Sequence, residues 1–306
     1  MSEKKKPSKV APAIIADMPM EEYQARTDAL SKSMISAMDC PAKFKYEYID
    51  NGKREEGDHF SIGTAVHTLA LEPEQFEARF HILPAVYVNG KGETATFRKD
   101  PRMQIYKDEL AKAGDKTILD HADYIDVQSM AASLIANPTA VALLKRPGLI
   151  EPSIFWTDEE TGLQHKCRPD FLGDDGLVID IKTGKSAKPS LFQKDAFELK
   201  YDLSVALTSR GVKALRGSIE NYVFILIEKT APFVVECYDA FRPWQDATED
   251  MAAVSYHDVG AHRLDIYIAR YRECLKTGVW PGYNGGKIMP MSVPSWAMKQ
   301  LEKETA

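Results

Sequence analysis

The chain has 306 residues, 44% hydrophobic and 27% charged, a globular composition that can bury one large core or two modest ones and excludes disorder as the general state. No run approaches the roughly 18 to 20 consecutive apolar residues of a membrane-spanning helix, and the best stretch, Tyr222 to Ile227, has the length of a strand. A net charge of -6 argues against a protein that coats nucleic acid non-specifically, although a local basic channel is compatible with any net charge.

Lys4 to Lys6 precede a short apolar stretch, Val10 to Ala16, that mimics a secretion signal, but Pro12 interrupts it and Asp17 ends it. Residues 1–28 are therefore expected to form a flexible arm, with a single domain over residues 29–306. Ser31 or Ser33 can cap a helix whose apolar positions Ile35, Met38 and Cys40 lead to Pro41, after which Phe44, Tyr46, Tyr48 and Ile49 continue an aromatic stretch. His59 to Phe80 reads as a helix with Ile62, Val66, Leu69 and Ala70 on one side, interrupted near Pro73. Residues 84–102 look like an exposed excursion. Helices over residues 103–114 and 121–145 end before Pro147 and Gly148.

Beyond Pro147 the period becomes alternating. Ser153 to Trp156, Leu163 to Leu172 and Leu177 to Lys182 read as a three-stranded meander, turning at Asp158 to Gly162 and at Gly173 to Gly176. A helix over 191–215, a buried strand from Tyr222 to Glu228, a strand from Phe233 to Asp239 and an amphipathic helix from Pro243 to Lys276 follow. The order predicts an α/β chain with one central sheet. Cys40, Cys167, Cys237 and Cys274 are far apart, without a C-x-x-C pair, which suggests neither disulfides nor zinc and fits a reducing cytoplasm.

The sharpest local signal is Arg168-Pro169-Asp170 followed by Ile179-Asp180-Ile181-Lys182. A hairpin closed around Asp175 sets Asp170 and Asp180 opposite or diagonal, about 5 Å apart at Cβ when directly opposed. Period-two alternation puts Lys182 and Arg168 on the same face, and Ile179 and Ile181 on the other. Two carboxylates this close repel unless a proton or cation sits between them, and hard oxygen ligands suit Mg2+ or Mn2+. An ordinary exposed strand face would explain D-x-K alone, but Leu177-Val178-Ile179 is too apolar for an edge strand.

These residues, with Gly63-Thr64-Ala65-Val66-His67, resemble the RecB-like branch of the PD-(D/E)XK nuclease superfamily. Leu30-Ser31-Lys32-Ser33, Cys40-Pro41-Ala42-Lys43-Phe44, Cys167-Arg168-Pro169-Asp170 and Trp280-Pro281 resemble the nuclease domain of RecE-type exonucleases. The resemblance implies a mixed sheet flanked by helices and Mg2+-dependent digestion of duplex DNA from 5′ ends to leave 3′ single strands. It also implies a ring-shaped tetramer and a RecT-type annealing partner. By position, His67, Asp170 and Asp180 would be metal ligands and Lys182 the catalytic lysine, with Glu151 supporting the site. Arg168 and Lys185 would face DNA phosphates. Glu72 is about 140° around the helix from His67 and is no co-ligand, whereas Gly63 permits close helix approach.

One departure stands out. RecB-like nucleases carry Gln-x-x-x-Tyr on the helix after the lysine, and here Ser204 and Thr208 occupy those places. Either DNA is positioned differently or activity is reduced, and a DNA-end-binding module with weak catalysis is the alternative this raises; a structure-selective endonuclease of the same superfamily is a further one. Thr183-Gly184-Lys185-Ser186 is no phosphate loop, because the glycine required five positions before Gly184 is Ile179.

Overall fold

The computed structural model describes residues 11–50, 60–243 and 254–304. The lysine-rich start, the beginning of the helix expected from His59 and residues 244–253 of the last long helix lie outside the described residues. The chain divides into two compact units, residues 1–32 with 55–265 and residues 33–54 with 266–306, where the sequence suggested one domain from residue 29.

The elements begin with strand β1 (Ala13–Ile15) and helix α1 (Met20–Ala25), followed by α2 (Lys32–Ala37), α3 (Pro41–Phe44), α4 (Phe60–Leu71) and α5 (Phe76–Arg79). Strand β2 (Phe80–Ile82), the hairpin β3 (Val86–Val88) and β4 (Thr94–Thr96), α6 (Gln104–Ala113) and β5 (Thr117–Leu119) come next. Then come α7 (His121–Ala136), α8 (Pro138–Leu144), β6 (Gly148–Ile150), β7 (Ser153–Thr157), β8 (Gln164–Cys167), β9 (Phe171–Gly173) and β10 (Leu177–Gly184). The series ends with α9 (Pro189–Glu198), α10 (Tyr201–Arg216), β11 (Asn221–Glu228), β12 (Val235–Asp239), α11 (Tyr256–Thr277) and α12 (Ser295–Glu304).

The larger unit is built on a five-stranded mixed sheet in the order β12-β11-β10-β9-β6, in which only β10 and β11 run parallel. A parallel pair needs a long crossover, and α9 with α10 provides it. Ile179 and Ile181 are fully buried with Val66 of α4 and Val127 and Met130 of α7. Alternation turns Tyr222 and Phe224 to the opposite face, where Phe192 of α9 and Tyr201 of α10 pack on Phe224. The sheet is thus covered by helices on both sides, as expected of strands this apolar.

The predicted meander is corrected. Its second strand breaks at Arg168-Pro169-Asp170, so that β8 joins a separate sheet, β1-β7-β8, while β9 pairs with β10 and β6. Pro169 has no N–H to give a ladder and a fixed φ, which suits it to this switch between sheets. Asp170 therefore stands at the entry to β9.

The expected arm is also corrected over its described part. β1 pairs antiparallel with β7, Ala13 opposite Phe155, and Met18, Ala29 and Phe155 form a buried cluster with Ile15 and Tyr23 against it. The helix expected over 121–145 breaks where Asn137 accepts the Ala140 N–H and Pro138 disfavours helical backbone before it. The helix expected over 191–215 breaks at Lys200, which has φ 56°. The excursion over 84–102 carries the β3–β4 pair, with Val86 and Val88 exposed.

In the smaller unit Phe44 stacks on Trp280 at 5.5 Å between ring centroids and meets Tyr271 edge-on at 5.3 Å. The Ala42 N–H donates to the Pro281 carbonyl, and Tyr267 donates to Asp39 at 3.0 Å. The Cys40–Phe44 and Trp280-Pro281 segments thus share a packing role here.

Candidate active site

Val178 pairs with Leu172 and Ile179 with Phe171, so one further step of the register sets Asp180 opposite Asp170. The register thus brings the two carboxyl groups onto one face, close enough to act on each other electrostatically. Asp170 accepts the Ile181 N–H at 2.6 Å and has His67 Nδ1 of α4 at 3.4 Å. Asp180 accepts from the Lys182 ammonium on one oxygen and from the Tyr222 hydroxyl, at 2.8 Å, on the other. Four side chains expected from the sequence are therefore brought together. Close approach of α4 to β10 is also seen, although a Cβ added at Gly63 would lie 3.5 Å from Thr183 Oγ1, an ordinary contact.

Burial shapes the electrostatics of every group. It pushes the Asp180 carboxyl upward, and the charge of Asp170 adds to this against the opposing pull of Lys182. Burial would raise Asp170 too, but His67, Lys182 and the Ile181 N–H outweigh it and hold that carboxyl well below its usual range. Desolvation works against a charged His67, yet Asp170 overcomes it and raises the imidazole. Desolvation likewise opposes the Lys182 ammonium, but the two carboxylates prevail and push it up to about 12.

Among the described residues no three His, Cys, Asp or Glu side chains already share metal-binding geometry, and Asp180 is engaged by Lys182 and Tyr222. The donor set nevertheless fits a hard divalent cation. Two buried carboxylates on opposed residues are relieved by added positive charge, and oxygen donors with one imidazole match Mg2+ or Mn2+ chemistry.

Residues 31–289 match the family described as "PDDEXK-like domain of unknown function (DUF3799)". The chain belongs to this family. No curated protein matches it. Among solved structures it is similar to a Eubacterium rectale protein named "Putative exonuclease", with a TM-score of 0.58 and 12% identity over 92% of this chain and 98% of the other. At that identity the likeness concerns the fold, and both comparisons agree with the PD-(D/E)XK architecture.

Several other expected residues of this PDDEXK-like domain lie elsewhere. Arg168 does not share the carboxylate face: its guanidinium donates to the Met18 carbonyl at 2.7 Å, to Ser153 at 3.0 Å and to Glu151 at 3.2 Å. The sheet switch removes Arg168 from the strand whose alternation would have aligned it with Asp170. Glu151 is committed to that ion pair, and its backbone N–H donates to the Asp170 carbonyl at 2.9 Å. It therefore braces the backbone at Asp170. Thr208 is buried against the Cys167 thiol, and Ser204 is half-buried on the same helix. Lys185 is exposed just past the end of β10. Glu72 pairs with Arg79 at 2.9 Å and takes no part in the site.

Sequence reasoning missed three residues. Tyr222 holds Asp180, and a tyrosine opening an otherwise apolar strand was a usable signal, since a buried hydroxyl needs a partner. Tyr201 and Lys32 flank Lys182: the Lys182 and Lys32 ammonium groups lie 5.2 and 5.8 Å from the Tyr201 ring centroid. Lys32 also donates to the Leu199 carbonyl at 2.9 Å. Burial first, and then the charge of Lys182, push the Lys32 ammonium down to about 8.

Proposed function

We propose that this chain is a Mg2+-dependent exodeoxyribonuclease of the RecE type, with Mn2+ as a substitute, that degrades linear duplex DNA from 5′ ends and leaves 3′ single strands. The observation that carries the reading is the buried contact of Asp170, Asp180 and Lys182, which costs stability and which packing alone does not require. Asp170, Asp180 and His67 would hold the cation, whose chemistry is to polarise a phosphodiester and acidify a bound water. Lys182 stabilises negative charge that develops on the phosphoryl oxygens. Tyr222 fixes the Asp180 carboxylate, while Glu151 and Arg168 fix the backbone from which Asp170 projects. A RecT-type annealing partner, a ring-shaped tetramer and a cytoplasmic setting belong to the same proposal and are supported by the resemblance to RecE-type enzymes.

The deciding assay compares end-labelled linear duplex with covalently closed circles in Mg2+ and in chelator. Linear DNA should yield mononucleotides bearing 5′-phosphates and circles should be spared. Lys182→Ala should lose cleavage. Efficient cutting of closed circles would establish the endonuclease instead, and DNA-end binding without cleavage would establish a binding module.

A further inference from the structure

In place of the missing Gln-x-x-x-Tyr side chains, the first turn of α10 presents a tyrosine. Thr208 is buried against Cys167 and does not offer its hydroxyl to the site. The tyrosine is Tyr201, the first residue of the helix. Its ring has the ammonium groups of Lys182 and Lys32 at 5.2 and 5.8 Å from the centroid. Among the described residues its hydroxyl has no hydrogen-bond partner. Lys32 spends one donor on the Leu199 carbonyl and has no carboxylate at ion-pair distance among the described residues. Beside the Lys182–Asp180 pair, Lys32 and the Tyr201 phenol thus keep donors that no side chain accepts among the described residues. An ammonium offers three donors, so Lys32 retains two for a ligand.

We propose that Lys32 and Tyr201 form a phosphate subsite that grips a non-bridging oxygen of the phosphodiester adjacent to the scissile one, and so align the strand on Lys182. The subsite rests on the nuclease reading above and specifies how that site holds its substrate. A charged oxygen there would gain hydrogen bonds from both groups and offset the mutual repulsion of Lys32 and Lys182. Chemically the ligand is the repeating phosphate of a nucleic-acid strand, independent of base identity.

The test pairs equilibrium binding with single-turnover cleavage in the full-length protein. Binding of an internally labelled linear duplex is followed by fluorescence anisotropy in Ca2+ across a salt series, and cleavage is started with Mg2+. Lys32→Ala should weaken binding about tenfold and lower the salt slope by about 0.9, the signature of one lost phosphate contact. Lys32→Arg should restore the slope, and Lys32→Met, which keeps the stem over Tyr201, should not. Tyr201→Phe should slow cleavage at saturating DNA about tenfold, as expected for one hydrogen bond to a charged oxygen. Unchanged affinity and slope in Lys32→Ala, with an active wild type, would overturn the subsite alone. Equal losses in Lys32→Ala and Lys32→Arg with a matching fall in melting temperature would also overturn it, leaving Lys32 as a clamp on the end of α9. A wild type that neither binds nor cuts DNA would overturn both the subsite and the nuclease reading.

Discussion

Tyr222→Phe isolates one bond of the site. The ring is 1% exposed and packs on Phe224 at 5.2 Å between centroids, contacts that phenylalanine retains. What disappears is the 2.8 Å hydrogen bond from the hydroxyl to Asp180 Oδ2. A bond to a charged acceptor contributes about 1.5 to 3 kcal/mol, and no water replaces the lost donor without room for it. Without metal the variant should therefore melt lower than wild type by several degrees. Asp180 would also lose the donor that fixes its orientation, so the Mg2+ concentration for half-maximal cleavage should rise about 10- to 100-fold, the usual cost of losing a group that orients a metal ligand. Saturating Mg2+ should recover most of the rate. The measurement is a single-turnover rate against Mg2+ concentration, together with melting curves in chelator and in excess metal. Wild-type metal dependence with an unchanged melting temperature would refute the role given to Tyr222. A rate loss that Mg2+ cannot rescue would move Tyr222 from orienting Asp180 to acting on the substrate.

Asp202→Ala should destabilise the chain by about 3 to 5 kcal/mol in a denaturant titration, because it strips the fully buried partner from Arg263, 2.8 Å away. Thr208→Tyr should lower stability by about 1 to 3 kcal/mol without raising the cleavage rate, since the site is 3% exposed against Cys167 and cannot accept the added ring. A pH effect arises at His165, which is 2% exposed and stacks on Trp156 while burial pushes its imidazole down to about 4. Between about 4 and 6.5 the unfolded chain binds a proton there that the folded chain does not. Stability is therefore gained as pH rises through that window and lost as it falls, by about 3 kcal/mol. His165→Gln should flatten that part of the profile relative to wild type in denaturant melts.

The parts of the fold that were legible in the sequence are those with sustained pattern. Strands β10 and β11 announce themselves as apolar runs, and α4 and α7 by helical spacing. Asp170, Asp180 and Lys182 were legible because hairpin register and period-two alternation are local rules, and the turn at Gly173 to Gly176 closes within a few residues. What escaped depends on distant partners. Three residues of β1 have no period of their own and are ordered by β7. Tyr222 reaches Asp180 only because the α9–α10 crossover returns β11 beside β10, and Lys32 reaches Tyr201 only because Leu30 is tied to β8 through hydrogen bonds with Gln164 and Lys166. Arg168 was misplaced for the opposite reason. Alternation was carried through Pro169, where the chain leaves one sheet for another.

An acidic chain can hold a polyanion through a local basic segment. Residues 182–200 contain five lysines against two carboxylates, and Lys32 adds a further positive charge beside Tyr201. The segment begins at Lys182 in β10 and runs through α9 to the residue before α10. Charges beyond a Debye length of about 8 to 10 Å are largely screened at physiological salt, so under the proposed function the net charge of -6 would be a weak deterrent to DNA and this basic segment the local attractant. Charge reversal at exposed Lys185 and Lys188, Lys185→Glu with Lys188→Glu, should therefore weaken DNA binding and flatten its salt dependence, while leaving the melting temperature near wild type because neither side chain is buried. If the double variant binds with the wild-type salt slope, the strand is held elsewhere, and the basic segment is no more than a solvated connection between the sheet and its covering helices.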